Sequence, residues 1–78
     1  MNIKVIGSGC ENCSKLYENT CAALARSGRE AQLERVEDLI EIVKLGVMTA
    51  PSLMVDGKLL VSGRVASEDE ILALLNRQ

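Results

Sequence analysis

The chain has 78 residues, and its nine basic and eleven acidic side chains give a net charge of −2. That balance shows no basic stripe, and a single ring, Tyr17, offers no platform for stacking bases, so the sequence excludes a nucleic-acid-binding surface. No apolar run nears the ~18 residues of a membrane span, and the opening MNIKVIG is far short of a secretory leader; a cytoplasmic protein with no membrane contact is expected. Residues 1–78 are expected to form one domain. A chain this small buries only about 60% of its unfolded surface. Its 47% apolar content still supports one compact core, which must be aliphatic because there is no Phe or Trp.

Residues 2–7, NIKVIG, alternate Ile3 and Val5 with Lys4 and Ile6, which predicts a strand ended by Gly7-Ser8-Gly9. From Cys10 to about Ser27 the period turns helical, with Cys13, Leu16, Tyr17, Thr20 and Leu24 on one stripe. Gly28 suits the left-handed position after a helix. REAQLERV, 29–36, predicts a short strand with Ala31 and Leu33 on one face. EDLIEIVKLG, 37–46, predicts a second helix. Glu37 and Asp38 suit its positive end, Lys44 suits the other, and Leu39, Ile40 and Val43 are expected to face the core.

VMTAPS carries the only proline. SLMVDGKLLV reads as a hairpin turning through Asp56-Gly57, a type I′ pair. A last helix spans 67 to about 76, opened by a Ser67/Glu70 capping box. Ile71, Leu72, Leu74 and Leu75 form its apolar face. The order β-α-β-α-β-β-α predicts an α/β fold. A right-handed parallel crossover and an antiparallel hairpin together give a mixed four-stranded sheet flanked by helices.

Cys10 and Cys13 form a CxxC pair where the first strand gives way to helix. As a structural staple the pair is poorly sited, because closing so short a loop contributes only about 2 kcal/mol by chain entropy. As a redox pair it is well placed. Cys10 falls at the helix's first turn, where free N–H groups and the positive dipole end favour a thiolate. Cys13 falls on the stripe facing the core, so it should be shielded until a mixed disulfide forms. Glu11 opposes the thiolate and Lys15 partly offsets it, which predicts a moderately lowered Cys10 pKa and a reducing or near-neutral poise. As a metal site, the pair could hold a soft ion such as Cu(I) or Hg(II). A structural zinc site lacks ligands. There is no histidine, and Cys21 lies ~12 Å along the same helix from Cys13. A CxxC at a strand-to-helix junction in a βαβ pattern points toward redox chemistry.

With these motifs in place, the chain resembles the thioredoxin–glutaredoxin superfamily, and within it the small redox-active disulfide proteins of archaea and bacteria. GSGCENC is similar to the active-site turn. MTAPSLMVDGKLLVSGRVASEDEI is similar to the loop, cis-proline, hairpin and final helix. The resemblance implies a thioredoxin-like fold and a thiol–disulfide oxidoreductase that needs no cofactor or metal. Cys10 would attack and Cys13 resolve. It implies a cis peptide before Pro51, with Ala50 offering backbone groups to an extended substrate segment and Gly9, Glu11 and Asn12 completing the binding surface. The partners implied are protein disulfides or dithiols and an upstream reductase, met by a monomer. The alternative is a soft-metal module like the heavy-metal-associated domains, whose β-α-β-β-α-β order differs.

Other residues have plainer expectations. Cys21 is expected as core filler, Tyr17 at the core edge, Met48 and Met54 as gap-fillers, and Arg64 in solvent, where a carboxylate ligand is its alternative. Glu68-Asp69-Glu70 suit a helix N-terminus.

Overall fold

The computed structural model describes residues 1–7 and 11–77. Four strands and three helices follow in the order β1 (Asn2–Ile6), α1 (Glu11–Ser27), β2 (Gln32–Val36), α2 (Leu39–Lys44), β3 (Ser52–Val55), β4 (Lys58–Ser62) and α3 (Glu68–Asn76). The strands form one sheet in the order β2-β1-β3-β4. β1 runs parallel to β2 and antiparallel to β3, and β3 pairs antiparallel with β4. The central strands β1 and β3 are the apolar ones, and all four residues of β3 are buried. The edge strand β2 carries Gln32, Glu34 and Arg35, charged and polar groups that discourage pairing with another chain.

Strand alternation divides the core in two. Ile3, Val5, Leu53 and Val55 point to the face covered by α1 and α3, where they join Leu16, Ala23, Ile71 and Leu75. Ile6 and Met54 point the other way, into a smaller cluster with Val36, Ile42 and Val47. Arg26 near the end of α1 bonds Glu68 and Asp69 at the start of α3, each at 2.7 Å, and ties the two helices of the larger face together. The Asp69 hydrogen bond is the main reason the Arg26 pKa is raised.

The hairpin turns as expected. Asp56 and Gly57 both have positive φ, 50° and 83°, which is the type I′ signature. One residue of β4, Leu60, is extra in the register: Met54 opposes Leu59 and Leu53 opposes Val61.

The second helix departs from expectation. It spans only Leu39–Lys44, and Asp38 stands outside it as the N-cap, its carboxylate accepting from the Ile40 N–H at 3.0 Å. Leu39, Ile40 and Val43 are 69%, 65% and 68% exposed, and Ile42 is the buried residue. The sheet beneath α2 offers only Ile6, Val36 and Met54, so a single line of the helix suffices to cover it. Gly46, at φ +76°, then reverses the chain. Its N–H reaches the Val43 carbonyl and the Val47 N–H reaches that of Ile42, which swings Val47 back under the helix.

Met48 is 95% exposed and fills no gap, whereas Met54 does. Cys21 is free and exposed, because the buried line of α1 runs through Leu16, Thr20 and Ala23. At α3 the Ser67 hydroxyl accepts from the Glu70 N–H, but the Glu70 carboxylate is taken by both terminal nitrogens of Arg64. Arg64 is thus a half-exposed surface arginine paired with Glu70.

Candidate functional site

The C-terminal end of β1 brings the site together. Gly7 continues the parallel ladder by donating its N–H to the Val36 carbonyl at 3.0 Å. Residues 8–10 lie outside the described residues, and with them Gly9 and Cys10. The chain is described again at Glu11, the first residue of α1. Glu11 and Asn12 are exposed there, while Cys13 turns inward and is 1% exposed. Its sulfur is engaged in a disulfide.

Facing Cys13 from the other side is the loop that enters β3. The Ala50–Pro51 peptide is cis. Pro51 is buried and Ala50 is exposed. The Ala50 methyl and the Cys13 sulfur both lie within 4 Å of the point where a side chain on Gly7 would begin. The structure thus gathers Cys13, Ala50 and Pro51 around Gly7, with Glu11 and Asn12 at the rim.

Three hydroxyls that the motif reading passed over brace this loop. Thr49 Oγ1 is 2.6 Å from Ser62 Oγ on β4, and Ser52 Oγ donates to the Thr49 carbonyl at 2.7 Å. The Gly63 N–H donates to the Pro51 carbonyl at 2.9 Å. The clustering of small hydroxyl residues around the only proline was the available signal. Arg35 was also passed over. It donates to Ser14 Oγ at 3.0 Å, lies 5.4 Å from the Tyr17 ring centre and pairs with Glu37 at 2.8 Å. These contacts pin the first turn of α1 to β2. Tyr17 sits at the edge of the larger core, as its position on the stripe suggests.

Beside Ala50 opens an apolar cavity of about 480 Å³. It is lined by Leu39, Ile42, Val43, Val47, Met48 and Ala50, and so includes Leu39 and Val43, two of the α2 residues that the core leaves uncovered. Among the described residues, no three His, Cys, Asp or Glu side chains gather as metal ligands. Nor is any described helix long and apolar enough to cross a membrane.

Comparison with known proteins agrees with this fold. Residues 1–76 match the thioredoxin domain family model. A thioredoxin from Methanothermobacter thermautotrophicus is 38% identical over 76 residues, which cover 97% of this chain and 99% of the relative. A thioredoxin from Methanocaldococcus jannaschii is 32% identical over 69 residues, 88% of this chain and 79% of the relative. A solved structure, described as that of a malarial protein, superposes with a TM-score of 0.73 over 97% of this chain and 93% of the other. At 16% identity, that likeness speaks for the fold. The chain belongs to the thioredoxin domain family and, with it, to the thiol–disulfide oxidoreductases.

Proposed function

We propose that this chain passes two electrons between a Cys10–Cys13 dithiol and the disulfides of protein substrates. The observation that carries the reading is the position of Cys13: a disulfide-bonded sulfur, sealed from water, beneath the loop of Ala50 and Pro51.

The Cys10 thiolate attacks one sulfur of the substrate disulfide, forming a mixed disulfide and releasing the other substrate sulfur, which takes a proton. Cys13 then gives up its proton and attacks Cys10. The Cys10–Cys13 bond forms, the mixed disulfide breaks, and the substrate leaves as a dithiol. Two electrons have moved to the substrate, with one proton from Cys13 and one from water, and an upstream reductase returns the chain to its dithiol form. A shielded Cys13 sulfur favours this order, because it reaches the Cys10 sulfur, already bonded to the substrate, and not a free substrate disulfide.

The substrate segment lies extended along Ala50, whose backbone it pairs with as an added strand, over a rim of Gly9, Glu11 and Asn12. An apolar side chain of that segment enters the cavity lined by Val43 and Met48. In this reading the chain acts as a monomeric, single-domain cytoplasmic protein. The soft-metal reading is not favoured, since the element order and the family are those of thioredoxins.

The test is trapping. Cys13→Ser, added to lysate, should accumulate mixed disulfides through Cys10, while Cys10→Ser should capture none and should not reduce a model protein disulfide. Equal capture by the two variants would refute the assignment.

A further inference from the structure

Gly7 is buried, at φ +156°, with its N–H committed to Val36. A Cβ placed on it would stand 2.3 Å from Cys13 Sγ and 3.2 Å from Cys13 Cβ. Carbon and sulfur do not approach to 2.3 Å without bonding, so a methyl at residue 7 and the Cys13 sulfur exclude one another. The other glycines of positive φ differ: at Gly28, Gly46 and Gly57 an added Cβ meets nothing within 4 Å, and at Gly63 it meets only Thr49, in ordinary contact at 3.6 Å. Residue 7 is glycine for the sake of the sulfur as well as for the backbone.

We infer that Gly7 is a positioning residue of the redox centre: the space left by its absent side chain is the seat of the Cys13 sulfur, and that seat favours the disulfide over the dithiol. The physical reason is a difference in freedom. A sulfur held in a disulfide cannot turn about χ1 without moving its bonded partner, whereas a reduced thiol can rotate to another staggered well. A methyl at residue 7 therefore penalises the oxidised chain more than the reduced one. The backbone cost of a side chain at this φ is present in both states and cancels from the ratio. The inference rests on the proposed function only for its catalytic meaning, since the equilibrium exists whatever the partner.

Dithiothreitol provides the test. It gives two electrons and two protons to the protein disulfide, leaving two protein thiols and cyclic oxidised dithiothreitol. The equilibrium constant for that reduction should rise at least fivefold in Gly7→Ala, which is about 20 mV for a two-electron couple. Gly28→Ala, also left-handed at φ +68° but in open space, should stay within twofold of the parent. A smaller rise in Gly7→Ala, or an equal rise in Gly28→Ala, overturns the inference.

Should Gly7→Ala not fold, a second measurement decides. Cys13→Ala removes the sulfur, so Gly7→Ala should cost at least fivefold less in folding constant on that background than on the parent, and the double variant should fold. A double variant that is equally damaged also overturns the inference. No protein substrate enters either measurement. A chain that traps no partner can still show the shift, and a missing shift leaves the trapping result untouched.

Discussion

Glu70 shows how one side chain serves two neighbours. Its N–H is capped by Ser67, and its carboxylate grips Arg64 from the link after β4. That guanidinium hydrogen bond holds the Glu70 pKa below its ordinary value of 4.5. An acid with a depressed folded-state pKa adds stability above its unfolded pKa, and the contribution is lost as pH falls through the folded value. The stability gap between the parent and Glu70→Gln should thus be full at neutral pH and should close below about pH 4.5, as read from urea midpoints across a pH series. The cap itself should respond at any pH: Ser67→Ala should cost about 1 kcal/mol in the same assay. Of this small site the sequence discloses the cap, because Ser67 and Glu70 have a fixed helical spacing. The Arg64 contact depends on how the SGR link folds back, which no local spacing encodes. Gly7 is similar. Its place at the end of a strand is legible, but its apposition to Cys13 exists only once β1 and α1 have packed.

Among the elements, α2 is where pattern reading fails and function gains. Leu39, Ile40 and Val43 look like a core stripe because apolar residues at that spacing usually are one. A helix of six residues over a narrow patch of sheet has room to bury only Ile42. Which line of a short helix is buried depends on what lies beneath it, and the sheet order that decides this is a tertiary property. Two of the uncovered residues, Leu39 and Val43, instead wall the cavity beside Ala50. Val43→Glu should therefore lower kcat/KM for a protein disulfide by tenfold or more, mainly through KM, consistent with about 1.5–3 kcal/mol for one buried apolar side chain. Its equilibrium with dithiothreitol should stay within twofold of the parent. α1 behaves as its period says, and Cys13 is buried as its stripe requires. Only Cys21, at the margin of that stripe, falls outside it.

For the whole molecule, the two faces of the sheet are unequal. Among the described residues, the apolar cluster on the α1/α3 face holds ten buried side chains, whereas that on the α2 face holds five. Local openings should follow that division. Amides of β1 and β3 should exchange with solvent only through global unfolding, and those of α2 should exchange roughly a hundredfold faster, through local opening that leaves the sheet intact. Hydrogen exchange followed by mass spectrometry or NMR would show whether the two classes separate. The architecture is legible because connection chemistry constrains it: a long helical crossover forces β1 and β2 parallel, and an Asp-Gly turn forces β3 and β4 antiparallel.

Tyr17 is the only aromatic ring in this protein, one helical turn past Cys13 and against the Arg35 guanidinium. Every near-ultraviolet emission and dichroism signal of tyrosine therefore originates beside the disulfide-bearing end of α1. The protein carries its own optical gauge there, and conversion between oxidised and reduced forms can be followed on the native chain without attaching a dye.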